Sequence, residues 1–239
     1  MPIPVHALAH RPLTAEAVAE LVALPYALPV DEDDDAAVEA ELRRRGWQWE
    51  DLVCESFRTG HGHVLCSDVF SPFGELKARA FLVFGEMYPV DPDDERMVNG
   101  TWLNGYMEGW EQLPGWRGIR PATDQDCEAV LAQAAGAVTE VLGTAPERTL
   151  RSAHTTAHGP ALTHRVWRTP THALILGPSA DEGPYGYLTH LRLSATPLSC
   201  APDLPPTPTE DTGGPATADP QATADDQPLA AWITAHTNG

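Results

Sequence analysis

One stretch of the chain, residues 123–146, constrains the fold more than any other. Its apolar residues recur at the i, i+3, i+4, i+7 spacing of one helix face, and they are Cys127, Val130, Leu131, Ala134, Val138, Val141 and Leu142. Thr123 or Asp124 can cap this helix, Gly143 can end it, and Pro146 lies just beyond. Each larger side chain of the stripe contributes about 1.5–3 kcal/mol if it is buried. We therefore predict a long amphipathic helix that supports the core.

Strand-like segments lie on both sides of this helix. Residue patterns predict strands near residues 49–58, 63–70, 75–84, 148–156, 162–168, 172–176 and 187–194. Short turns rich in Gly and Pro separate them, and one of these turns begins at Gly177-Pro178. Strands joined by short turns are antiparallel neighbours. The predicted fold class is α+β, with antiparallel β meanders packed against the long amphipathic helix.

Two short helices are predicted before the strands. Thr14 can cap the first helix, and Pro25 ends it. The acids at residues 31–35 can cap the second helix, over residues 36–45. Gly46 then provides the left-handed residue that commonly ends a helix.

The composition changes after residue 199. Residues 202–228 are rich in Pro, Thr, Ala, Asp and Gly and contain almost no large apolar residue, so they cannot bury enough surface to offset the entropy of ordering. We predict one domain over residues 1–199 and a disordered tail over 200–228 that is dispensable for folding. Leu229, Trp232 and Ile233 have helical spacing, so a short helix over 229–239 is possible.

Residues 86–121 form the least regular part of the sequence. Val98, Trp102 and Tyr106 have the spacing of a helix face, but several glycines disfavour a helix here. Trp110 and Trp116 lie among further glycines, and this pattern favours a packed loop.

The charge of the chain excludes several classes of ligand. It has 34 acidic and 15 basic residues, a net charge of −19, and a single lysine, Lys77. Nucleic acids and anionic membranes need clustered Lys and Arg, so neither is an expected partner. The charge suits a basic protein partner or serves solubility alone. The first residues do not read as a secretion signal, and no apolar run reaches the length of a bilayer span, so the expected location is cytoplasmic.

Sequence motifs for catalysis and cofactors are weak. The chain has no GxSxG, P-loop, HExxH or EF-hand pattern, so no cofactor is predicted. His61 and His63 flank Gly62 in a predicted hairpin, and Cys54 and Cys66 lie on the neighbouring strands, so a Cys/His metal site is conceivable. The simpler interpretation is that both histidines are turn or surface residues. His154-Thr155-Thr156 matches half of a paired His-x-Thr motif, and the other half is missing. We predict no metal and no catalytic residue.

The strongest candidate interaction site combines acids with aromatic residues. Acids steer a basic partner towards a surface, and aromatic side chains anchor an interface. Both kinds occur together in one segment: Asp91, Asp93, Asp94, Glu95, Trp102, Tyr106 and Trp110. In the alternative interpretation the aromatic side chains are buried and hold this Gly-rich segment on the core.

The order of these elements resembles a loose group of proteins. It comprises a capped helix before a Trp-bearing meander, a helix closing on Val141-Leu142-Gly143, and a β set from Val166-Trp167-Arg168 to Leu191-Arg192-Leu193. This order, over roughly residues 35–198, is similar to that of small actinobacterial immunity-type proteins. The resemblance implies tight binding to a basic toxin domain without catalysis. The alternatives are an adaptor or chaperone-like protein that uses its tail, and an enzyme with a His-based hydrolytic site.

Overall fold

The strands of both predicted sets lie in a single antiparallel sheet. The structure is a computed structural model that describes residues 5–24, 30–31, 34–50, 56–67, 79–89, 93, 95, 101–152, 160–180, 188–199 and 227–237. Within them the strands are β1 (Val5–His10), β2 (Gln48–Glu50), β3 (Ser56–Arg58), β4 (Val64–Ser67), β5 (Ala80–Pro89), β6 (Arg117–Ile119), β7 (Arg148–Ser152), β8 (Leu162–Arg168), β9 (His172–Ala180) and β10 (Thr189–Pro197). The helices are α1 (Ala15–Ala23), α2 (Asp35–Arg45), α3 (Thr101–Gln112), α4 (Asp124–Leu142) and α5 (Gln227–Thr237).

The strand order shows two similar halves. The strands run in the order β2-β3-β4-β5-β10-β9-β8-β7, with β1 paired to both β5 and β6. The series α2-β2-β3-β4-β5-α3 is thus followed by the series α4-β7-β8-β9-β10-α5. Because β5 and β10 pair antiparallel at the centre, an approximate twofold axis between them relates the two meanders. The elements α1, β1 and β6 lie outside this repeat.

Helices cover both faces of the sheet. The first face, which carries Leu82 and Leu174, packs in one apolar cluster with residues of α1, α2 and α4. The second face carries two separate clusters, one with α3 and one with α5. Alternation along the strands separates the faces, because Val83 packs with α3 and Ile175 with α5.

Helix α4 lies between the proposed cap Thr123 and the proposed terminator Gly143. The Thr123 side chain accepts a hydrogen bond from the Asp126 amide, and the Asp126 carboxylate accepts one from the Thr123 amide, which completes a capping box. Cys127, Leu131 and Val138 are fully buried, so the apolar stripe faces the sheet.

Helix α3 corrects the expectation of a packed loop at residues 101–112. Each internal glycine disfavours a helix by about 1 kcal/mol relative to alanine. Burial of Met107 and Trp110 on the second face outweighs this loss. Trp116 lies after the helix, where its indole Nε1 donates a hydrogen bond to the Gly62 carbonyl at 3.1 Å.

Two further expectations about strands are corrected. Gly177 and Pro178 lie inside β9 and do not begin a turn. Gly177 is required there because the His164 ring packs against its Cα, and a Cβ would overlap that ring. Strand β1, which the sequence did not predict, pairs with β5 from Val5 to His10. Parts of the predicted strands near residues 51–55, 68–70, 75–78, 153–156 and 187 lie outside the described residues.

The chain after residue 199 contributes to the core. Helix α5 buries Trp232 and Ile233 against Leu150, Val166 and Ile175 of the second face. The hydrophobic core therefore extends beyond residue 199, and whether the sheet folds without this helix stays a prediction. The predicted disorder of residues 200–226 falls outside the described residues.

Candidate functional site

The predicted acidic and aromatic residues occupy different environments. Asp93 and Glu95 are exposed, whereas Asp91, Asp94 and the Trp102 side chain lie outside the described residues. Tyr106 is half-buried, and Trp110 is fully buried with its ring centroid 4.4 Å from that of Trp116. Trp110 is a core residue in this structure and is not accessible to a partner.

A different tryptophan is exposed. Trp49 lies in β2, and 42% of its surface is accessible to solvent. Among the residues that the structure describes, no other large apolar side chain is exposed. Gly46 ends α2 with φ of 70°, a left-handed conformation, and so turns the chain from α2 towards β2. Trp47 then points into the core, while Gln48 and Trp49 face solvent.

The Trp49 ring is held in place on two sides. Its indole Nε1 donates a hydrogen bond to Glu39 Oε1 of α2 at 2.9 Å. Its ring centroid lies 4.7 Å from that of Phe57 in β3. These contacts fix the orientation of an exposed aromatic side chain before any partner arrives.

A groove of about 420 Å³ runs beside Trp49 between α2 and β2. Its α2 wall is formed by Glu39, Leu42 and Arg43, and its β2 wall by residues 47–49. Strand β2 ends the strand order, and among the described strands it pairs only with β3. We call the groove, Trp49 and the outer edge of β2 the Trp49 surface.

Many arginines form local ion pairs. Arg44 and Arg45 both bind Glu41. Hydrogen bonding from Arg44 is the largest cause that lowers the pKa of Glu41 to about 2. The pairs Arg58–Glu50, Arg120–Glu111, Arg165–Glu128 and Arg168–Glu147 repeat this arrangement along the chain. The net charge of −19 is therefore carried by the acids in excess of these pairs.

The residues considered for a metal site are not arranged around a common point. His63 is buried, and its Nε2 lies 3.1 Å from the Pro12 carbonyl, to which it donates. His61 is partly exposed, with Nε2 3.8 Å from Glu20. Cys66 is half-buried, and Cys54 lies outside the described residues. No group of three or more metal-ligating side chains occurs among the residues described.

A buried polar row crosses the centre of the second face. Ser179 of β9, His190 of β10 and Glu86 of β5 are register partners on three adjacent strands. His190 Nδ1 and Glu86 Oε2 form a close ion pair, and Glu86 and Ser179 are almost fully buried. Serine, histidine and an acid are the residue types of a Ser-His-acid hydrolytic site, and the strand register places one of each side by side here.

Further polar groups flank this row. Arg192 stacks on Phe81, with Cζ 4.5 Å from the ring centroid. His164 Nε2 donates to the Pro178 carbonyl at 2.9 Å, and burial, as the largest cause, lowers the pKa of His164 to about 4. The neutral ring leaves Nδ1 as an acceptor, and this atom has no hydrogen-bond partner among the described residues.

No protein-family model, curated protein or solved structure matches this chain. None of the described helices is both long and apolar enough to cross a membrane. The function is therefore inferred from the side chains and their arrangement.

Proposed function

We propose that this chain is an acidic, cytoplasmic binding protein that docks a basic protein partner on the Trp49 surface. Immunity-type neutralisation of a toxin domain is the specific form that the order of its elements favours. The observation that supports the proposal is the exposed, oriented indole of Trp49 beside a groove. Tryptophan is enriched among the residues that dominate binding energy at interfaces.

The local structure reduces the entropic loss on binding. Glu39 and Phe57 already hold the Trp49 ring, so less side-chain freedom is lost when a partner covers it. The outer edge of β2 can also accept an extended segment through main-chain hydrogen bonds. A partner can thus combine a pocket contact with the addition of a short strand.

Long-range charge explains why the partner would be basic. A net charge of −19 attracts a cationic protein and accelerates its association at low salt. The acids of the segment Asp91, Asp93, Asp94 and Glu95 belong to this steering charge in the proposal, with Trp102 and Tyr106 near them in the sequence. Because Trp110 is buried, the aromatic anchor is assigned to Trp49.

The test uses surface-binding kinetics against purified basic proteins encoded beside the gene for this chain. Trp49→Ala should raise the dissociation rate at least 10-fold, as expected for an anchor worth about 2 kcal/mol. The matched control is Glu140→Gln, an exposed acid on α4, which should leave dissociation unchanged. Neutralising Asp93, Asp94 and Glu95 together should slow association and flatten its salt dependence. A tight partner that is indifferent to Trp49→Ala would refute this surface.

A second candidate function, ester or amide hydrolysis, is favoured by the Ser179–His190–Glu86 row. Ser179 Oγ would attack a carbonyl carbon while His190 Nε2 takes its proton. The same proton would then leave with the alcohol or amine, and water would hydrolyse the acyl-enzyme. A fluorophosphonate probe should label the wild-type chain and not Ser179→Ala. Absence of labelling in the folded wild type would exclude this function.

A further inference from the structure

Helices α3 and α5 occupy corresponding places on the second face but are attached differently. Helix α3 continues within a few residues into β6, which pairs with β1, so its C-terminal end is fixed to the sheet. The turn between them is closed by a hydrogen bond from the Leu113 amide to the Trp110 carbonyl at 3.0 Å. Helix α5 is separated from Ser199 by the 27 residues 200–226, so no adjacent strand follows or precedes it directly in the sequence.

The contact of α5 with the sheet is small and apolar. Trp232 and Ile233 are buried, and Leu229 and Ala230 are half-buried. They pack on four side chains from three strands: Leu150, Val166, Ala173 and Ile175. We call these four side chains the α5 site. The helix presents its stripe at i, i+3 and i+4, as helices that bind grooves in other proteins do.

Helix α5 is weak as an isolated element. It has 11 residues, and helices shorter than about 12–15 residues are marginal in water. It contains β-branched Ile233 and Thr234, which lower helix propensity. The packing of its apolar stripe must therefore offset the ordering of the whole helix. Undocking of α5 is expected to occur more readily than unfolding of the sheet beneath it.

We propose that the α5 site is a binding site for an amphipathic helix, that α5 is its reversible internal occupant, and that a partner's helix replaces α5. The replacing helix carries the same apolar stripe as α5. It has an aliphatic residue at position i, an aromatic residue at i+3 and an aliphatic residue at i+4, like Leu229, Trp232 and Ile233. Its polar face is basic, which complements the net charge of −19. This proposal does not depend on the Trp49 surface.

Energetics favours a foreign helix over the α5 of a second copy. Exchange between copies replaces each contact by an identical one, so it gains no interaction. Because α5 belongs to the same chain, it competes as an intramolecular ligand, which a replacing helix must overcome. A longer helix rich in Ala, Leu and Lys is ordered before binding and loses less entropy, so it can displace α5.

The first experiment measures hydrogen exchange in the full chain. The amides of α5 should exchange at least 10-fold faster than those of β9, whereas the amides of α3 should not differ from those of the sheet. Exchange of α5 only at the rate of global unfolding would overturn the proposal, because α5 would then be a fixed part of the fold.

The second experiment titrates the full chain with a synthetic peptide that repeats residues 227–239 and carries Lys or Ala at positions 227, 231 and 235. The full-length Trp232→Ala chain should bind this peptide at least 10-fold more tightly than the wild type, because its own α5 occupies the α5 site more weakly. A control peptide with Ala at positions 232 and 233 should not bind. Failure of the first peptide to bind either chain would refute the site. Dimers of the wild type that Trp232→Ala abolishes would assign the site to a second copy instead.

Discussion

The two halves of the sheet share one topology but differ in strand length, in helix burial and in exposed surface. In the described part of the first half, β2, β3 and β4 span three or four residues each, β5 spans ten, and α2 buries only Val38 and Leu42. In the second half β7 to β10 have five to nine residues, and α4 buries six side chains. Among the described residues, the second half therefore has the longer outer strands and the helix with more buried side chains. Each half has one strand at an end of the strand order, β2 or β7, but only β2 carries an exposed tryptophan among the described residues.

Added elements compensate for the smaller first half. Strand β1 pairs with β5 beside β4, and β6 pairs with β1, so the sheet is extended where the first meander is short. Helix α1 contributes Val18 and Leu21 to the same cluster as α4. A duplicated topology can thus carry a stable half and a half with accessible surface, provided that elements outside the repeat complete the core.

The largest expected effect distinguishes the two helices on the second face. Trp110 is fully buried in α3, so Trp110→Ala should lower the free energy of unfolding by about 3–5 kcal/mol. Trp232→Ala should lower it by less, because α5 can undock and its loss is limited to the docking free energy. Urea denaturation of both variants measures the difference. Trp110→Phe is the control, since it keeps an aromatic ring and removes an indole N–H that has no acceptor in the described part of the chain. Equal losses would show that α5 is as integral as α3.

The next effect compares one buried histidine in each half. Burial is the largest cause that lowers the pKa of both His63 and His164, from 6.5 to about 4. Between pH 6.5 and 4 the unfolded chain takes up a proton that the folded chain does not, so stability is lost as the pH falls through this window. Each residue accounts for about 3 kcal/mol of that loss at pH 4.

Variants at the two histidines separate their contributions. His63→Asn and His164→Asn should each reduce the slope of the unfolding free energy against pH between pH 6.5 and 4.5. The pKa of Glu41 is lowered to about 2, so this residue contributes to the loss of stability in acid only below about pH 4.5. Urea titrations at several pH values provide the measurement. A slope that is unchanged in His164→Asn would show that this ring is protonated in the folded chain.

Local signals predicted the elements that local residues determine. The Thr123 cap, the apolar stripe and Gly143 enclose α4, and the same kind of signal enclosed α1 and α2. The pairing of β5 with β10 depends on residues about one hundred positions apart, so no local pattern showed that the two meanders form one sheet. Helix α3 was missed because its burial on the sheet overrides its glycines.

The candidate surfaces were harder to predict than the fold. The alternation at Trp47 and Trp49 predicted a strand, but only the contact with α2 shows which indole faces solvent. The sequence pattern ended the third predicted strand at residue 84 and left Glu86 in the irregular segment, whereas β5 continues to Pro89. Its partner His190 lies on a strand distant in the sequence. The acid–base pair is therefore visible only once β5 and β10 are paired.

The smallest expected effect compares the first-face helices of the two halves at their N-caps. Thr123 accepts a hydrogen bond from the Asp126 amide at 3.2 Å, and Asp34 accepts from the Ala36 and Ala37 amides at 3.0 and 3.1 Å. Thr123→Ala should lower the free energy of unfolding by about 1 kcal/mol, because α4 is rigidly packed and loses its cap in full. Asp34→Ala should lower it by less, since α2 buries only two side chains and its first turn can fray without disturbing the sheet. Hydrogen exchange should accordingly accelerate in the first turn of α2 for Asp34→Ala, while Thr123→Ala changes mainly the urea midpoint. A larger loss for Asp34→Ala than for Thr123→Ala would mean that α2 is as integral to the core as α4, and that the first half is not the more weakly held of the two.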